Sequence, residues 1–138
     1  MEKLTLDGLI FSATEINIDN HILTITLNRP EKKNAINNVM MNELNYAITY
    51  AKQEKNIRVV VINAKGDIFC AGADLSRADS ESNVPELDYA NDISLSLRHL
   101  YKPVICSIQG SVLAGALLMV TNSTHAIAVK DAKFSAPE

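Results

Sequence analysis

The chain has 138 residues, 47% of them hydrophobic and 21% charged, and a formal net charge of −3. That length supports one globular core, and the slight acidity, with no basic stripe and only four tyrosines, three phenylalanines and no tryptophan, argues against nucleic acid as a partner. The longest apolar stretch, 112–120, is too short to span a bilayer and the start, Met1-Glu2-Lys3-Leu4-Thr5-Leu6-Asp7, lacks a signal peptide's apolar core, so a cytoplasmic protein without a membrane partner is expected.

In chain order, residues 11–18 and 21–27 read as two strands of a hairpin joined at Asp19-Asn20, with Leu23, Ile25 and Leu27 on one face and Thr24 and Thr26 on the other. A polar loop, Asn28-Arg29-Pro30-Glu31-Lys32-Lys33-Asn34, leads to Asn37, which caps a helix running to about Gln53. In that helix Met40, Leu44, Ala47, Ile48 and Ala51 keep helical spacing. Residues 59–63 are a β-branched strand leading to a first glycine turn, and residues 75–91, rich in Asp, Ser and Asn, read as a mobile surface loop. A short helix over 92–100 precedes a strand at 104–108 and a second glycine turn. An apolar helix (114–121), a strand (126–129) and a closing turn at Lys130-Asp131-Ala132 complete the alternation. Cys70 and Cys106 stand far apart without a Cys-x-x-Cys spacing, which points to small buried residues rather than a disulfide or a metal site.

The chemistry centres on the two glycine turns, Phe69-Cys70-Ala71-Gly72-Ala73-Asp74 and Gly110-Ser111-Val112-Leu113-Ala114-Gly115-Ala116. Small residues there offer backbone amides rather than side chains, and two N–H groups aimed at one oxygen would form an oxyanion hole for a thioester carbonyl. Each run follows a strand and opens toward a helix, near a positive dipole end. Taken singly, either is an ordinary turn in which Gly tolerates positive φ and Asp caps the next helix. Their combination carries the reading.

Five separated motifs then fall in one order: Leu27-Asn28-Arg29-Pro30 with Asn34-Ala35-Ile36; Phe69-x-Ala-Gly-Ala-Asp74; Lys102-Pro103-Val104-Ile105; Gly110 with Ala114-Gly115-Ala116; and Asp131-Ala132-Lys133-Phe134-x-x-Pro137-Glu138. From about Leu9 onward the chain resembles the crotonase, or enoyl-CoA hydratase/isomerase, superfamily. The resemblance implies an α/β fold, a spiral of ββα units, with 1–138 the N-terminal portion of a single spiral domain truncated before its C-terminal helical region. It also implies an acyl-CoA thioester substrate and an enolate-like intermediate held by two backbone amides. Mapped here, those amides belong to Ala71 and Gly115. Ala71, Gly72, Ala73 and Asp74 would lie along the coenzyme A moiety, with Lys32 or Lys33 reaching its phosphates; a solvated loop is the alternative for the lysines. No separate cofactor and no metal is expected, coenzyme A being part of the substrate.

The departures are informative. Where hydratases of the family carry a triple glycine followed two residues later by a glutamate, this chain has Ala114-Gly115-Ala116 and Leu118. The family's Cys-Asp after that helix is Ser123-Thr124 here, which touches packing rather than chemistry. Glu138 matches the second carboxylate and is the remaining acid at a catalytic position. One carboxylate suffices to move a proton from C2 to C4 of a 3-enoyl thioester, whereas hydration also needs a held water, so isomerisation is favoured over hydration. Family members continue past Pro-Glu into a helical region that completes the acyl pocket and builds a homotrimer or dimer of trimers. Truncation before that region makes such assembly doubtful for this chain and leaves an apolar surface expected to drive association. His21, His99 and His125 match no motif, and no Gly-x-Ser-x-Gly elbow, phosphate loop or Gly-x-Gly-x-x-Gly fingerprint occurs. Two readings remain: an acyl-CoA isomerase using Glu138, or a non-catalytic acyl-CoA-binding or interaction protein, an inactive fragment of the enzyme included.

Overall fold

A computed structural model describes residues 2–74, 82–87 and 92–136. Strand β1 (Thr14–Asp19) opens late because the amides of Ser12, Ala13 and Thr14 turn to the Glu43 carboxylate instead of a ladder partner. It pairs antiparallel with β2 (Ile22–Leu27), Asp19 facing Ile22, so the two turn residues are Asn20 and His21 rather than the expected Asp19-Asn20. Both have positive φ, 52° and 67°, as a hairpin turn matched to strand twist requires. His21 is held in that costly conformation by its Nδ1, 2.9 Å from the Asn56 carbonyl oxygen. On β2 the alternation is as the sequence indicates: Leu23, Ile25 and Leu27 are fully buried.

Helix α1 (Asn38–Gln53) is capped by Asn37, whose Oδ1 accepts the Met40 N–H at 2.9 Å, and Met40, Leu44, Ala47, Ile48 and Ala51 all lie in the core. Its far end is closed by Lys102, whose Nζ donates to the carbonyls of Ala51, Glu54 and Ile57. The chain then winds. β3 (Val59–Ala64) joins the first sheet and β4 (Ile68–Cys70) a second; α2 (Ile93–Arg98) comes next. β5 (Val104–Ile108), β6 (Ser111–Leu113) and α3 (Ala116–Thr121) repeat the sequence, and β7 (His125–Ala128) and β8 (Phe134–Ser135) begin it again. One sheet has the order β1-β2-β3-β5-β7, parallel from β2 onward; the other is parallel with the order β4-β6-β8. This is the expected spiral of ββα turns, and its core lies among the two sheets and three helices. The short strands β4, β6 and β8 escape the sequence reading because two or three residues show no periodicity, and the first two overlap the glycine motifs.

Thr124 ties the start of β7 to β5: its hydroxyl accepts the Val104 N–H at 2.9 Å and its own N–H donates to the Val104 carbonyl. Of the segment read as a mobile loop, 75–81 and 88–91 lie outside the described residues. Between them, Asn83 ties to Ile10 and Gly8, Asn42 donates to the Val84 carbonyl and Val84 is buried, so this part is anchored.

Glu43 is fully buried and accepts from three amides and the hydroxyls of Ser12 and Thr14, joining α1 to the start of β1. Glu43→Ala strands those donors in the interior, and urea unfolding should show a loss of about 3 kcal/mol.

Candidate active site

After β2 the chain makes a 3-10 turn at Pro30–Lys32 and then two left-handed residues, Lys33 and Asn34 (φ 55° and 54°). Asn34 is fully buried and explains the conformation. Its Oδ1 accepts the Arg29 N–H at 2.8 Å, while its Nδ2 donates to the carbonyls of Lys65 and Ile68 at 2.8 and 2.9 Å. One amide side chain thereby pins the polar loop to the β3–β4 connection.

The loop lies beside the first glycine run. Ile36 and Ala73 form a parallel bridge in which the Ile36 N–H donates to the Gly72 carbonyl at 2.7 Å and the Asp74 N–H to the Ile36 carbonyl at 2.9 Å. In a parallel bridge one residue supplies both bonds and the residue opposite turns its own N–H and C=O outward. Ala73 is that residue, and its surface is exposed. Among the described residues its N–H has no acceptor.

This corrects the expectation for Ala71. The Ala71 N–H donates to the Lys33 carbonyl at 3.0 Å and is not available to a ligand. Between the two alanines Gly72 adopts φ 95°, which breaks the regular alternation and lets Ala71 and Ala73 present their amides to different neighbours. Gly72 also approaches the second run closely: a Cβ placed on it would lie 3.1 Å from the Leu113 carbonyl oxygen and 3.4 Å from the Gly115 nitrogen.

Gly115 therefore stands next to the 72–73 segment. It occupies the N-cap of α3 in ordinary right-handed geometry, is exposed, and its N–H likewise has no acceptor among the described residues. A Cβ built on it would meet nothing within 4 Å, so neither backbone nor packing asks for glycine here. The strain falls on its neighbour. Ala114 has φ 52°, a left-handed conformation costing about 1–2 kcal/mol for an L-residue. It is held there by its N–H to the Ser135 carbonyl at 2.7 Å and by its carbonyl to the Leu117 N–H.

The remaining expected residues are scattered around these two segments. Lys32 and Lys33 are exposed on the loop that abuts Ala71. Asp74 does not present its carboxylate outward: the side chain is 12% exposed and pairs with Arg29 Nη2 at 3.1 Å, so the 71–74 segment offers a ligand its backbone. Leu118 lies one turn beyond Gly115 on α3 and is 56% exposed. Glu138 lies outside the described residues. A cavity of about 380 Å3 opens between α1 and α2, lined by Thr49, Lys52, Leu95 and His99 among others, and holds none of these residues. No group of three potential metal-binding side chains gathers among the described residues, and no helix among them is long and apolar enough to cross a membrane.

Cys70 shows how closed the floor of the site is. Burial pushes its thiol up to about 11, and the Sγ–H donates to the Asn34 carbonyl at 3.1 Å; Cys106, also fully buried, is likewise pushed up to about 11 by burial. A thiol pKa raised on folding stabilises the fold fully below the unfolded value near 9, and that contribution fades as pH climbs through 11. Iodoacetamide at pH 8 should therefore leave both cysteines unmodified over hours in the native protein and alkylate them within minutes in urea, as read by intact mass.

The model of one protein family, enoyl-CoA hydratase/isomerase, matches residues 17–138. A trans-2-decenoyl-[acyl-carrier-protein] isomerase of Streptococcus mutans is 36% identical over 125 residues, covering 86% of this chain and 48% of that protein. The mevalonyl-coenzyme A hydratase sidH of Aspergillus fumigatus is 34% identical over 121 residues, with 86% and 45% covered. Among solved structures, an enoyl-CoA hydratase/isomerase from Pseudoalteromonas atlantica superposes with a TM-score of 0.79 at 28% identity, covering 91% of this chain and 50% of that one. The chain spans about half the length of the relatives it matches.

Proposed function

Because the chain belongs to the enoyl-CoA hydratase/isomerase family, we propose that the protein moves the double bond of an enoyl thioester, with the amides of Ala73 and Gly115 binding the thioester oxygen. The observation that carries the reading is the pair of exposed, unengaged N–H groups on two adjoining segments. Such donors cost no reorganisation when charge develops, which makes them more valuable in the enolate than in the ground state. Coenzyme A enters as part of the substrate, its pantetheine along the 71–74 backbone and its phosphates within reach of Lys32 and Lys33. No separate cofactor is needed.

Glu138 is the base in this reading. Its carboxylate removes a proton from C2 of a 3-enoyl thioester, the electron pair passes to the thioester oxygen, and the same proton returns at C4 as the enolate collapses to the 2-enoyl product. Leu118 supports isomerisation over hydration: an apolar side chain one turn from Gly115 holds no water.

In a coupled assay on the whole protein, Glu138→Gln should lower isomerisation of a 3-enoyl-CoA by roughly 100-fold or more, the usual contribution of a general base. Leu118→Glu should raise hydration of a 2-enoyl-CoA. Unchanged turnover in Glu138→Gln would contradict the assignment of the base, and absent turnover with intact thioester binding would make the protein a binder instead.

A further inference from the structure

Arg29 has no part in the chemistry so far, yet it is 5% exposed, and a buried guanidinium is expensive unless every contact is used. Its contacts have a pattern. Nη1 donates to the Ala35 carbonyl and Nη2 reaches the Asp74 carboxylate at 3.1 Å. Ala35 precedes Ile36 on one side of the parallel bridge, and Asp74 comes directly after Ala73 on the other. The planar fork thus spans the two segments whose pairing turns the Ala73 N–H outward. Its own backbone is fixed in turn, the Arg29 N–H donating to Asn34 Oδ1 and the Asn34 N–H to the Arg29 carbonyl, both at 2.8 Å.

We propose that Arg29 and Asp74 are positioning residues for the thioester oxygen: the ion pair clamps the Ile36–Ala73 bridge and sets the direction of the Ala73 amide. This rests on the functional reading above, because it assigns the pair a role only if Ala73 binds that oxygen. An amide donor weakens steeply as its N–H leaves the line to the acceptor, so a small rotation of the 72–73 peptide, whose carbonyl accepts the Ile36 N–H, matters to the carbonyl contact and little to the rest of the ligand. Lysine at 29 keeps the charge but cannot reach both segments with a fixed fork.

The test compares two ligands on the full chain by calorimetry: butyryl-CoA and its thioether analogue, butyl-CoA, which lacks the carbonyl. Wild type should prefer the thioester by about tenfold, the worth of the carbonyl contacts. Arg29→Lys and Asp74→Asn should each cut that preference to about twofold, and in Arg29→Lys the thioether affinity should stay within twofold of wild type. A preference retained in full by the variants, or a loss shared equally by both ligands, overturns the positioning role. Should Asp74→Asn fail to unfold cooperatively, Arg29→Lys decides; failure of both to fold makes the pair a structural staple and overturns the proposal. A wild type with no thioester preference overturns the functional reading itself.

Discussion

The site depends on a single parallel bridge, two hydrogen bonds between Ile36 and the peptides either side of Ala73. Because Ile36 supplies both bonds, Ala73 is left with an outward N–H, and because Gly72 breaks the alternation, Ala71 spends its own on Lys33. Everything nearby serves to make that bridge possible. Asn34 ties the loop to the β3–β4 connection, Arg29 spans the paired segments, and Gly72 removes the side chain that would hold the second run away. A backbone donor built this way carries no proton to tune and no rotamer to lose.

Preorganisation of that kind has a cost, visible at Ala114. A left-handed alanine persists only where its surroundings over-determine it, and here β8 and the first turn of α3 hold both its polar groups. Beside it, the Gly115 amide stands next to Gly72 with no acceptor among the described residues. The spiral supplies the scaffold: each turn places one strand in each sheet, and the ends of β4 and β6, which neighbour each other in the second sheet, deliver the two donor segments side by side.

Much of this was legible in the sequence, for identifiable reasons. α1 announces itself through Asn37 and five apolar residues at helical spacing, β2 through strict alternation, and the two glycine runs through their small residues and order. The choice between Ala71 and Ala73 was not legible, since composition is identical at both and the difference is a direction set by pairing with Ile36, far earlier in the chain. The partnership of Arg29 with Asp74 was hidden likewise, although both stand in motifs. The hairpin turn lies one residue later than expected because its position is set by partners far along the chain: His21 Nδ1 meets the Asn56 carbonyl and the His21 carbonyl accepts the Arg58 N–H. Short strands of the second sheet were lost to the same brevity that makes them good carriers of a turn.

The central claim is that Ala73 and Gly115, not Ala71, bind the thioester oxygen, and amide-resolved NMR tests it most directly. On titrating the 15N-labelled chain with butyryl-CoA, the amide protons of Ala73 and Gly115 should move downfield together and exchange more slowly with solvent, while that of Ala71 stays in place on Lys33. A response at Ala71 with Ala73 unmoved would contradict the account.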